Sequence, residues 1–344
     1  MNQKIDIQSG DRILISRTDR LGDLILALPL VETIKLRYPE CHVDVLPSLY
    51  ASPILEGNPR ISKIVRVQND QLKSSKLYRK DLLHRLRMNE YKAVIALYPE
   101  RQICRLFYKA GIPERIGTVG RFHSVFFNHH LFHTRKANLK HECEYNLDFL
   151  EFFRDGETVK WPTVYTAEKD LRNARRILNE AGVGEDFIVL HPGSGGSAER
   201  WPLEKFLKLY VMLKEAGLEI IISGSSDEGE LIERASQKLK LEVNHIAGET
   251  DLRTLAAVLS LARAVVANST GPLHLAVAVG TKVVGLYPGK RIMSPVRWGP
   301  LGDGHRVIQP PGSDDDQSPP DQRIKMDTIP VEKVAEETLA VYGA

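Results

Sequence analysis

Residues 12–47 read RILISRTDRLGDLILALPLVETIKLRYPECHVDVLP, and their pattern sets the fold class. The opening RILIS (12–16) is a short run of branched apolar residues, as a buried strand requires. DLILALPLVETIKLRY (23–38) repeats apolar residues at helical spacing, and Pro39 ends it. HVDVLP (42–47) alternates apolar and polar residues as a second strand does. A strand, a helix and a strand in so short a span form a β-α-β unit, the building block of a parallel sheet covered by helices.

The same alternation continues outward. ISKIVRV (61–67), YKAVIAL (91–97) and ERIGT (114–118) read as strands, with polar helical stretches near 70–90 and 99–110. Residues 139–153 turn helical, and DGETVKWPTVY (155–165) loses all periodicity. A second series then begins with FIVLHP (187–192), a helix from about Leu203 to Ala216, LEIIIS (218–223) and a helix near 227–239. It runs on through VNHIA (243–247), LRTLAAVLSLA (252–262), AVVAN (264–268), PLHLAVAVG (272–280) and KVVGLY (282–287). Two α/β halves therefore follow one another, with a cleft expected between them. The joint is placed near 155–170, which gives a first domain over 1–160, a second over 161–330 and a closing amphipathic helix in 331–344. PPGSDDDQSPPDQ (310–322) is rich in Pro, Asp and Ser and reads as a surface loop.

Composition narrows the function classes. The 344 residues hold 42% apolar and 26% charged side chains, with 47 Lys and Arg against 44 Asp and Glu, a net charge of +3. A dedicated nucleic-acid binder is more basic, so no nucleic-acid partner is expected. No apolar run reaches the roughly 18 residues of a membrane span, and the opening MNQKIDIQSGDR lacks the apolar core of a signal peptide, so a cytoplasmic protein is expected. Cys41, Cys104 and Cys143 show no CxxC spacing and read as core thiols rather than disulfide or zinc ligands.

Three glycine-bearing turns sit where strands end, the edge at which open α/β sheets bind ligands. In the first, Arg17-Thr18-Asp19-Arg20-Leu21-Gly22-Asp23, the carboxylate of Asp23 stands at a helix start, where the helix dipole favours its ionised form. It reads either as a cap or as a reactive group. The second turn, from His191 through Gly193, Ser194 and Gly195 to Ala198, Arg200 and Trp201, mimics the G-x-G-x-x-A dinucleotide fingerprint. It lies mid-chain, however, and is followed by Trp-Pro, so either a phosphate-contacting loop or a plain connector fits it better. In the third, Ser269 or Thr270 can cap and Pro272 suits the first helical position, leaving an anion-ready helix start with His274 one turn away. His274 reads equally well as structural or functional. Asp314-Asp315-Asp316 reads as a solvated acidic loop rather than a cation site.

Charge is concentrated in one segment. Between Arg101 and His141 stand eight Lys or Arg, one acid and five His, interleaved with Phe122, Phe126, Phe127 and Phe132. A solvated surface is one reading, and a face for an anionic amphiphile such as a phosphorylated glycolipid is the other.

With these pieces in place the chain resembles glycosyltransferase family 9, the lipopolysaccharide heptosyltransferases. The resemblance is carried by ILISRTDRLGDLILALPLVETIKLRYP (13–39), ALYPERQICRLFYKAGIPERIG (96–117), HECEYNLDFL (141–150), VLHPGSGGSAERWPLEKF (189–206), NSTGPLHLAVAVGTKVVGLYPG (268–289) and VRWGPLGDGHRVI (296–308), in the family's order. It implies the GT-B architecture, two Rossmann-like domains facing a central cleft, with an anionic glycolipid acceptor on the first and a nucleotide-sugar on the second. It also implies inverting transfer, typically of heptose from ADP-heptose to the lipopolysaccharide core, with no metal and no cofactor beyond that co-substrate. By the same resemblance Asp23 is the catalytic base, and Gly193, Ser194, Ser269, Thr270, Gly271 and His274 hold the donor, with Arg200 assigned beside them as a substitute for a Lys that the family commonly carries. Arg20, Arg101, Arg105, Lys109 and Arg121 are assigned to the acceptor, and a monomer touching the inner face of the cytoplasmic membrane is expected. Two positions depart from the family pattern. Glu199 stands where Lys is common, and Ser269 where Asp is common. A degenerate, non-catalytic binding protein, a transferase with another donor, and a nucleotide-sugar epimerase therefore remain as rival readings.

Overall fold

The computed structural model describes residues 4–343 apart from 121, 133, 134, 136, 137, 196–198 and 314–324. The chain divides into two compact units, Met1–Pro162 and Thr163–Ala344. In the first, strands β1 (Arg12–Arg17), β2 (His42–Pro47), β3 (Lys63–Ile64), β4 (Ala93–Ala96), β5 (Glu114–Thr118) and β6 (His129–Leu131) form one sheet in the order β3-β2-β1-β4-β5-β6. Every neighbouring pair is parallel. This is the Rossmann strand order, which reverses between β1 and β4. Ile13, Leu14 and Ile15 of β1 are wholly buried. That is why RILIS reads as an unbroken apolar run: helices cover both faces of a central parallel strand.

The helix expected over 23–38 is in fact two, Leu21–Ile25 and Leu28–Arg37. Pro29 is the second residue of the later helix; it has no N–H to offer the preceding turn, and its ring crowds the carbonyl four residues back. ISKIVRV shrinks to the two-residue edge strand β3 and one further bridge, Ser48 to Val67. The helical stretch 139–153 becomes the α-helix Glu142–Leu147 and the 3-10 turn Asp148–Phe152.

The second unit holds β7 (Phe187–His191), β8 (Glu219–Ile222), β9 (Ala264–Asn268), β10 (Lys282–Leu286) and β11 (Arg306–Ile308), in the order β11-β10-β9-β7-β8 and again all parallel. Counted within the unit this is the 2-1-3-4-5 order, with its reversal between β7 and β9. VNHIA makes a single bridge, Ile222 to His245, rather than a strand. Trp201 is buried against Phe206, edge to face at 4.9 Å, and its indole Nε1 donates to the Ile329 carbonyl at 3.1 Å. The closing helix Val331–Tyr342 turns Val331, Val334, Ala335 and Val341 inward and packs on the helix Leu203–Glu215 and on β9 and β10. All three cysteines are free and buried, as core thiols should be. Among the described residues no helix is long and apolar enough to cross a membrane.

Candidate active site

Ligands of open α/β sheets gather where the strand order reverses. The turn after β1 occupies that place in the first unit, and the turns after β7 and β9 flank it in the second. Topology thus brings all three glycine-bearing turns to crevice positions.

At the end of β1 the Arg17 side chain is only 3% exposed, yet it serves three carboxylates. Its Nε donates to Asp19 at 2.8 Å, its Nη1 to Glu142 at 3.2 Å and to the Asn146 side-chain oxygen at 3.3 Å, and its Nη2 to Asp23. Asp23 is the third residue of the helix Leu21–Ile25, whose start carries no side-chain capping bond. Its carboxylate is occupied by Arg17 instead, so capping does not account for it. Burial pushes the Asp23 carboxyl up; Arg17 pulls it down, the charges of Asp19 and Glu142 raise it again, and the balance falls at about 6. For Arg17 burial works against the charge, but the surrounding carboxylates outweigh it and hold its pKa above the ordinary value. The assembly is a charged cluster with one carboxylate poised to accept a proton near neutrality.

Sequence reasoning missed Arg17, Glu142 and Asn146. The last two lie more than a hundred residues from Arg17 and reach it through the helix Glu142–Leu147. The one available signal was the stretch HECEYN, already noticed as characteristic but without a role.

Arg20 is the exposed residue that begins the helix Leu21–Ile25. Arg101, Arg105 and Lys109 lie on the exposed side of the helix Arg101–Ala110, opposite buried Ile103, Cys104, Leu106 and Phe107. Arg101 begins that helix just beyond β4, at the same sheet edge as the Asp23 turn. Lys109 is eight residues on, about 12 Å along the axis, so one small ligand head cannot meet all three. Arg121, Ala198 and Asp314-Asp315-Asp316 lie outside the described residues.

The basic segment is less of a surface than its composition implies. Arg115 donates to the carbonyls of Ile112, Pro113 and Phe126, and Arg135 pairs with Glu142 at 3.4 Å. Phe127 is core, packed so closely on Gly117 that a Cβ there would collide with its ring. Phe132 is 80% exposed, joined by Val125 and Leu139.

In the second unit both ends of the glycine turn are pinned to the last residue of β9. Asn268 donates through Nδ2 to the Pro192 carbonyl at 2.8 Å, and its Oδ1 accepts from the Trp201 N–H at 2.9 Å. A Cβ on Gly193 would strike the Glu228 carboxylate, which would have to swing aside to admit it. Glu228 is itself held in the capping box of the helix Ser226–Leu239, accepting from the Ser225 N–H at 2.8 Å. Gly195 takes a positive φ of 50°. Ser194 is buried and Arg200 exposed. A cavity of about 510 Å³ lies beside the turn, lined by Gly193, Arg200, Trp201, Glu228, Arg234 and Lys238 among others. Buried His191 donates or accepts at Ser223 Oγ, 3.0 Å away, and burial lowers its pKa against the pull of Glu228, which disfavours the charged ring.

Past β9, Thr270 is the residue before the helix Gly271–Ala278, and its hydroxyl donates back to the Asn268 carbonyl at 3.2 Å rather than capping the helix. Pro272 takes the second helical position, one later than expected, so the helix start offers the Gly271 N–H and the positive end of the dipole. Ser269 is half-buried close to the Tyr287 hydroxyl, and His274 is buried in the first turn of the helix.

The sequence pattern described as glycosyltransferase family 9 (heptosyltransferase) matches residues 79–319. The chain belongs to that family. A Haemophilus influenzae protein bearing only a general glycosyltransferase name is 28% identical over 319 residues, 89% of this chain and 91% of that one. Lipopolysaccharide heptosyltransferase 3 of Escherichia coli is 25% identical, covering 77% of this chain and 80% of its own. The solved structure of the E. coli ADP-heptose heptosyltransferase II superposes with a TM-score of 0.76 at 21% identity, over 96% of this chain and 98% of that one. The two doubly wound sheets are thus those of the GT-B fold, and this family 9 member is a glycosyltransferase.

Proposed function

We propose that the enzyme moves heptose from ADP-heptose onto an anionic lipopolysaccharide core acceptor, with inversion and without a metal. The observation that carries the reading is the Arg17 cluster, which holds Asp23 at the crevice of the first sheet with its carboxyl near 6. Asp23 takes the proton from an acceptor hydroxyl as that oxygen attacks the anomeric carbon from the side opposite the diphosphate. The bond to the diphosphate breaks, and ADP leaves with its charge met by the Gly271 N–H, the helix dipole and Arg200. These groups answer the leaving group's charge without a metal ion. The family relationship and the relatives' names support heptose and ADP as the donor parts.

Turnover with ADP-heptose, compared with UDP- and GDP-sugars, is the first test. Transfer from ADP-heptose that survives EDTA supports the reading. Activity with another donor alone replaces the sugar assignment, and nucleotide binding without turnover points to the degenerate binding protein. A product that keeps the donor's anomeric configuration overturns inversion.

A further inference from the structure

Glu199 stands on the rim of the crevice assigned to the donor's diphosphate, and an unpaired carboxylate there would repel the ligand. In this chain it is not unpaired. Its Oε1 accepts from the Lys290 ammonium, and both side chains are about one-third exposed, so the pair is neither wholly solvated nor sealed in the core.

The two residues reach one another from loops fixed over the same sheet edge. Glu199 lies two residues before Trp201, whose N–H is tied to Asn268 at the end of β9. Lys290 lies four residues beyond Leu286, the end of β10. That loop is anchored by the Ser269 N–H donating to the Leu286 carbonyl at 2.9 Å, and by Tyr287, whose hydroxyl donates to the Trp298 carbonyl at 2.7 Å. Ser269 and Asn268 immediately precede Thr270 and the helix start. The strand end from which the Lys290 loop departs is thus tied to the residue that precedes Thr270 and the helix start.

We infer that Lys290 is a diphosphate-binding cation of this enzyme and that Glu199 is its positioning partner; this rests on the proposed donor site. A lysine ammonium carries three N–H donors, and one carboxylate oxygen engages only part of them. The remainder are free to turn toward phosphate while Glu199 limits where the flexible side chain can go. The crevice then gains one directed cation, and the negative charge of Glu199 is cancelled.

The test uses the full chain and calorimetric binding of ADP, AMP and adenosine to the wild type, Lys290→Gln and Glu199→Gln, with thermal unfolding of each. Lys290→Gln should weaken ADP by about 10- to 100-fold, the loss of one charge-assisted contact, and leave adenosine unchanged. Its ADP affinity should also respond less to salt than the wild type's. Glu199→Gln keeps the cation but releases it from its partner, and should weaken ADP by less than Lys290→Gln does while leaving adenosine unchanged; an ADP affinity equal to the wild type's would mean Glu199 does not position the lysine. If Lys290→Gln binds ADP as the wild type does, or loses adenosine and ADP equally, the pair is only a clasp between loops and the inference is overturned, while the donor reading stands. If the wild type instead prefers UDP or GDP and Lys290→Gln weakens that diphosphate, the ADP assignment fails and the role of Lys290 stands.

Discussion

Asp23 lives in a compromise between burial and charge, and the compromise predicts its pH behaviour. A carboxyl near 6 is ionised above neutrality and protonated below pH 5, so kcat should rise with pH along an acid limb centred near 6. Glu142→Gln removes one of the negative charges that raise Asp23 and should move that limb to lower pH, whereas a purely structural Glu142 would leave its position alone. Asp23→Asn should fold and lose about 10²- to 10⁴-fold in kcat. Stability follows the opposite course. Because the folded-state pKa lies above the usual value of 3.8, the folded protein binds more protons than the unfolded chain between the two values. That contribution is complete below about pH 4 and is lost as pH rises through 6. The Tm of Asp23→Asn relative to the wild type should therefore climb between pH 5 and pH 7.5. A difference that stays flat would mean Arg17 alone sets the ionisation of Asp23.

At the scale of elements, the turns were legible and the side-chain network was not. Each glycine-bearing turn follows a run of branched apolar residues, a local signal, and the strand order then carries all three to crevice positions. Nothing local pairs Arg17 with Glu142, because only the packing of the helix Glu142–Leu147 on the helix Leu28–Arg37 and the side-chain bond itself bring them together. Strands β6 and β11, with three residues each, are too short to show a period. The helix break at Pro29 was written in the sequence, but the apolar spacing on both sides of the proline masked it. Gly193 offers a test at this scale. Its missing side chain makes room for the Glu228 carboxylate, so Gly193→Ala must push either the turn or Glu228 aside. The variant should lose about 1–3 kcal/mol of stability by overpacking and bind ADP more weakly. Glu228→Ala, by making room for the added methyl, should recover part of the stability when combined with it, and two fully additive effects would refute the contact.

For the molecule as a whole, the proposed acceptor is a lipid-linked anion, while the net charge is only +3. Segregation of charge would reconcile the two. Arg115 and Arg135 are spent on internal bonds, which leaves the exposed row Arg101, Arg105 and Lys109, with Val125, Phe132 and Leu139 exposed in the same stretch of sequence. Cations near an anionic membrane surface each contribute on the order of fivefold to binding, and exposed charges are screened within about 8 Å at physiological ionic strength. The enzyme should therefore sediment with anionic vesicles at low salt, release as salt rises, and ignore neutral vesicles. Changing all three cations to Ser should abolish most of that association and raise the acceptor KM while leaving ADP affinity intact, since the residues assigned to the donor belong to the other unit. Within the row the effects should be graded. Arg101 begins its helix at the edge that carries the Asp23 turn, and Lys109 lies about 12 Å farther along. Arg101→Ser should thus raise the acceptor KM most and Lys109→Ser least, with the two variants weakening vesicle binding alike. Equal KM effects from both would mean the row acts only as a diffuse positive surface, with no part of it near the reacting saccharide.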